Sequence, residues 1–139
     1  MLKPIHFKLS EVDYTFLKGE YPDMRNNHDI CNFGVHVTKL YLESKGYSNI
    51  KIEEKKVDIQ GTLNNVVIKF EVKSTCDSEI AFGKLKVSSP KDYKSLVEDG
   101  MEIIRICKVG QQTLDIYFLK HGIDFTLTQE PRWRLAKLK

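Results

Sequence analysis

Cysteine is scarce in this chain: Cys31, Cys76 and Cys107 are the only three, odd in number and far apart. No C-x-x-C pair occurs. That argues against a zinc knuckle or a disulfide framework and fits a reducing, cytoplasmic setting. No apolar run approaches the roughly 20 residues of a membrane span. The opening residues, MLKPIHFKLSEVDY, hold no apolar h-region, so no signal peptide is expected. Internal repeats, low-complexity tracts and domain linkers are missing. So is any obvious helix-turn-helix or zinc finger for reading a defined DNA site. Charge of one sign is lacking too. A formal net charge of +3 does not announce a nucleic-acid binder, so the distribution of charge must carry any such reading.

What remains is an ordinary globular composition, 41% hydrophobic and 29% charged. The 139 residues suffice for one domain with a hydrophobic core, read as residues 1–139 with a core of about 29–119 and a basic tail over 120–139.

The most informative stretch is Lys56 to Thr75, KVDIQGTLNNVVIKFEVKST. Val57–Ile59 and Val66–Val72 read as strands, with Gly61 and Asn64-Asn65 between them. Asn tolerates left-handed backbone angles, so Asn64-Asn65 suits the centre of a tight hairpin turn. Such a turn sets Asp58 directly opposite Glu71, and opposed side chains in an antiparallel pair sit about 5 Å apart. Alternation then puts Lys73 on the face of Glu71, with Phe70 and Val72 on the other. Two adjacent carboxylates repel unless a cation lies between them. A divalent, oxygen-seeking ion such as Mg²⁺ answers that need, and the nearby amine can orient a water or stabilise phosphate charge. The plainer reading is a solvated hairpin face.

Elsewhere the pattern is coarser. Ile5, Phe7 and Leu9 suggest a short strand, while Ser10 followed by Glu11 to Tyr14 suits a helix start. Tyr21-Pro22-Asp23 reads as a turn. Residues 29–45 form the clearest helix, with Ile30, Phe33, Val37, Leu40 and Tyr41 at spacings of three and four, Asn27 or Asp29 as cap and Gly46 as stop. His36 and Glu43 share one flank of its apolar stripe. Ile50 and Ile52 lead towards the first strand of the hairpin. Ile80 to Val87 alternates loosely as a strand carrying Lys84 and Lys86. Ser88 or Ser89 then caps a helix over Lys91–Glu98, with Pro90 at its first position. Met101–Val109 and Thr113–Leu119 read as the remaining core strands. Ser74 and Thr75 suit either phosphate contacts or a loop cap. Arg132, Trp133 and Arg134, with Lys137 and Lys139, make the C-terminal end basic. They suit phosphate neutralisation and base stacking, or a helix that lays Trp133 on the core.

Asp58, twelve residues, then Glu71-x-Lys73 resembles the catalytic signature of the PD-(D/E)xK, restriction-endonuclease-like nuclease superfamily. The order helix, hairpin with Asp, strand with Glu-x-Lys matches its core layout. FEVKST, Phe82, Ser88-Ser89-Pro90-Lys91-Asp92-Tyr93, Gly100 and RICKV, with Gly34 and Lys45-Gly46-Tyr47 upstream, look like the C-terminal nuclease-like domain of NO VEIN proteins. That branch also occurs in prokaryotic defence-associated and restriction-linked proteins.

The resemblance implies an α/β fold with a central mixed sheet flanked by helices. It implies Mg²⁺-dependent hydrolysis of DNA phosphodiester bonds, with Mn²⁺ able to substitute. Asp58, Glu71 and the Val72 carbonyl would hold the metal, and Lys73 would position the attacking water. Many superfamily members carry a Glu on the first helix where this chain has His36, so His36 becomes a further candidate in place of a third carboxylate. DNA is the expected partner, together with a second copy of the chain or a larger restriction or defence protein. Two rivals stand beside this reading: a catalytically silent DNA- or partner-binding module of the same fold, and a Holliday junction resolvase.

Overall fold

The computed structural model describes residues 2–53, 58–87, 90–127 and 137–138, with Asp58 described by its backbone alone. The N-terminal stretch that suits both strand and helix contains both in turn. Strand β1 (Ile5–Lys8) gives way to helix α1 (Glu11–Glu20) because the Ser10 hydroxyl accepts the Asp13 N–H at 3.1 Å and so caps the helix. Helix α2 (Asn27–Ser44) begins two residues earlier than expected, since Asn26, rather than Asn27 or Asp29, is the cap and its side chain accepts from the N–H groups of His28 and Asp29. It stops where the sequence signals, with Gly46 at φ 91°.

Among the described residues six strands form one sheet in the order β1-β6-β5-β4-β3-β2. The strands after α2 are β2 (Ser48–Ile52), β3 (Asp58–Leu63), β4 (Val66–Ser74), β5 (Glu102–Cys107) and β6 (Thr113–Leu119). The β4–β5 pair is parallel and the others are antiparallel, so the sheet is mixed. A parallel neighbour needs a crossover, and helix α3 (Pro90–Val97) lies in that connection. The expected α/β class, a mixed sheet flanked by helices, is the observed one.

Two expectations need correction. Residues Ser48–Ile52 do not lead into the hairpin's first strand; they form a separate edge strand paired with β3. Ile80 to Val87 is not a strand. Ala81 adopts left-handed angles, φ 54° and ψ 60°, and a short 3-10 turn follows over Phe82–Lys84. Loose alternation cannot signal such a break, because Ala carries no preference for φ above zero. Ser88 and Ser89, the proposed caps of α3, lie outside the described residues.

Among the described residues the two faces of the sheet are unequally covered. On one face Leu17 of α1 and Phe33, Val37 and Leu42 of α2 are buried with Phe70, Val72, Ile104, Ile106, Leu114 and Ile116. Each such side chain contributes roughly 1.5–3 kcal/mol by leaving water, so this face supplies most of the stability. On the other face the buried apolar cluster among the described residues joins Leu96 of α3 with Ile103 and Leu119. The buried polar side chains Glu71, Arg105 and Asp115 belong to this thinner face, because they alternate with the residues of the large core. No helix among the described residues is long and apolar enough to cross a membrane.

Candidate functional site

The β3–β4 hairpin sets the geometry. Asn64 and Asn65 have φ of 51° and 64°, the pair of left-handed angles that a two-residue hairpin turn matched to strand twist requires. The ladder runs from Leu63↔Val66 to Asp58↔Glu71 without a bulge. Gly61 lets the Tyr47 ring, just before β2, lie close against β3, since a β-carbon there would meet it at 3.0 Å. Sequence reasoning and structure therefore agree on the register that opposes Asp58 and Glu71.

On β4, Phe70 and Val72 enter the large core, and Glu71 and Lys73 take the other face. Glu71 is 5% exposed. Lys73 Nζ reaches its Oε1 at 3.2 Å, and 27% of the Lys73 side chain remains exposed. A buried carboxylate needs such a partner, because desolvating a lone charge is costly. Val72 lies one residue past the last described β3–β4 pair and pairs with Ile104 of β5. Among the described residues no three His, Cys, Asp or Glu side chains converge to hold a metal. The Asp58 carboxyl is outside that set.

Lys73 opens onto a cleft of about 110 Å³ that it lines with Phe82, Leu85, Lys86 and Phe125. Lys84 turns away to Asp77, Nζ to Oδ2 at 2.7 Å. Its hydrogen bond and charge hold the Asp77 carboxyl below the usual carboxylate range. Lys86 is exposed beside the cleft and so remains a candidate anion contact.

The remaining candidates are scattered. Ser74 points into the large core, where its Oγ is buried against Gly34 of α2 without a hydrogen-bond partner. It does not face the side of Glu71. Thr75 is buried, and its Oγ1 accepts the Asp77 N–H at 3.1 Å, so it caps the loop after β4. His36 packs on Phe16 of α1 with ring centroids 5.6 Å apart. Burial first and Lys39 second lower its pKa. Helix α2 covers the opposite side of the sheet from Glu71 and Lys73, so His36 is not brought to them. Arg132, Trp133 and Arg134 lie outside the described residues.

Two polar features escaped sequence reasoning. Arg105 pairs in register with Lys73 across β4–β5 and is 3% exposed, its Nε donating to the Ile80 carbonyl at 2.9 Å. Burial lowers its pKa. The available signal was its alternation with Ile104 and Ile106 inside EIIRIC, which places it on the face of Lys73 once β4 and β5 are neighbours. The second is Asp115, bracketed by His6 Nδ1 at 2.6 Å and Lys108 Nζ at 3.0 Å. No local pattern links His6 to Asp115, 109 residues away.

No protein-family model, curated protein or solved structure matches the chain.

Proposed function

We propose that the chain is a Mg²⁺-dependent phosphodiesterase of the PD-(D/E)xK kind, cleaving DNA in the cytoplasm in a restriction, defence or repair role. The observation that carries this reading is the Asp58↔Glu71 register with Lys73 bonded to Glu71 on the same face. The donor set suits a hard cation: two carboxylates and the Val72 carbonyl supply oxygen alone, and Mn²⁺ would serve as well. When bound there, such an ion would lower the pKa of a water and offset charge on the phosphoryl group. Lys73 is the group of this chain that would hold the water in line for attack. Its ammonium now lies on Glu71 and opens towards the cleft, from which a phosphate would approach. DNA would be engaged beside a second copy of the chain or a larger partner protein, since no sequence-reading element stands out.

The test compares wild type with Asp58→Asn and Lys73→Ala on linear, nicked, branched and modified DNA. Metal-dependent cleavage by wild type alone supports the reading. Undiminished cleavage by both variants sinks it.

The burial of Glu71 favours a second reading, a silent binding module. A carboxylate 5% exposed and already neutralised by Lys73 is also how a purely structural pair is built. On that reading divalent ions leave the melting temperature of the wild type unchanged.

A further inference from the structure

We propose that the cleft beside Lys73 receives a nucleobase swung out of a DNA strand, so that the site acts on an unstacked nucleotide. This rests on the phosphodiesterase reading and names its substrate more closely. A nucleotide joins a flat, apolar ring to an anionic phosphate. The cleft matches both halves: Phe82, Leu85, Ile103 and Phe125 give apolar and aromatic walls, and Lys73 and Lys86 bring cations to the same space. Its volume of about 110 Å³ admits a small ring rather than a helix or an extended peptide.

The walls are held in place. Ala81 takes left-handed angles, and the Lys84 N–H closes the turn on the Ala81 carbonyl at 2.9 Å, which leaves Phe82 46% exposed. The buried Arg105 fixes the same segment through the Ile80 carbonyl. Phe125 is fixed from the other side, its carbonyl accepting the Gly122 N–H at 2.9 Å. An aromatic ring left half-exposed on a braced turn is a stacking platform, and every base offers it a π-face. Bases leave a stack at a cost, which falls when the strand is already single or the base is mismatched. Lys86 has no ion pair among the described residues and is available to the phosphate.

The experiment measures binding of the full chain, in EDTA to prevent hydrolysis, to two fluorescent single strands of equal length. One carries thymines. The other is an abasic backbone with the same phosphates, so electrostatic attraction is equal. Wild type is expected to bind the thymine strand about tenfold or more tightly, the range that loss of base stacking gives. Phe82→Ala, exposed and safe for folding, and Leu85→Trp, which fills the cleft, are each expected to remove that preference. Thermal melts of both variants check that they stay folded. Thymidine monophosphate added as competitor tells a free nucleotide from a base within a strand, and either result keeps the base in the cleft. Equal binding of the two strands by wild type overturns the proposal, as does binding of neither, or a preference that survives in both variants. A preference without metal-dependent cleavage keeps the cleft and sinks the hydrolysis.

Discussion

Gly34 of α2 lies so close to Ser74 of β4 that a β-carbon on Gly34 would come within 1.8 Å of the Ser74 Oγ and 2.7 Å of its Cβ. This contact sets how near the longest helix can approach the strand that carries Glu71 and Lys73. Gly34→Ala should destabilise the fold by about 3 kcal/mol, the upper end of what overpacking costs, because the blocking atoms belong to a short, buried side chain. Adding Ser74→Gly should return most of the loss. Ser74→Ala alone should be neutral or mildly stabilising, since it deletes a buried hydroxyl without a partner. Denaturant titrations of these proteins, with Ser74→Gly alone to complete the cycle, check it. A loss in Ser74→Ala would mean that the hydroxyl has a role beyond packing.

The Asn64-Asn65 turn makes a second case. Asn65→Ala should cost roughly 1 kcal/mol, because the residue keeps φ above zero and Ala tolerates that poorly. Asn65→Gly should be neutral or gain a few tenths. If cleavage is found, Asn65→Ala should reduce it only as far as the fold is lost, for the turn touches the site solely through register. Melting curves alongside activity separate the two effects.

Replacing Lys73 by Met tests the pair it forms with Glu71. Breaking a fully buried pair costs about 3–5 kcal/mol, but Lys73 keeps part of its side chain in water, so roughly 1–3 kcal/mol is expected. Magnesium should raise the wild-type melting temperature, by an amount equivalent to about 2.7 kcal/mol at a hundredfold excess over its dissociation constant. Asp58→Asn and Glu71→Gln should abolish that rise. Differential scanning calorimetry with and without the ion reads all of it.

Acid should act through Asp115. Burial alone would raise its carboxyl pKa, but hydrogen bonds and charge from Lys108 and His6 outweigh burial and hold it below the ordinary 3.8. A depressed folded pKa gives stability that is present above the unfolded value. It drains away as pH falls from there through the folded one. Wild type should therefore lose stability steeply below about pH 4. Asp115→Asn should start lower and show a shallower slope in that window. Unfolding free energies measured across pH 2–7 decide it, and parallel slopes would count against the role given to Asp115.

The hairpin was legible because its information is local. Two Asn residues fix the turn, and a two-residue turn fixes every pair of the ladder, Asp58↔Glu71 included. Helix α2 and the core strands were legible through periodicity. The thin face was not. Arg105 bonds a loop carbonyl 25 residues upstream, and His6 meets Asp115 only because β1 lies beside β6, neither of which chain order reveals. The cleft was missed for a related reason. It depends on Ala81 breaking the stretch that alternation suggested was extended, and a left-handed alanine is imposed by its surroundings. Ser74 was misjudged in direction only: strand parity from Glu71 already sends it into the core.

The bond between His6 and Asp115 joins positions 109 residues apart. Closing so long a loop lowers chain entropy before any contact rewards it, so the first strand should dock late in folding, after the local hairpin and central strands exist. Amide protons of Ile5–Lys8 would then gain protection last during refolding. In the native protein they would exchange sooner than those of β4 and β5, which makes the N-terminal edge the seam where the sheet begins to open.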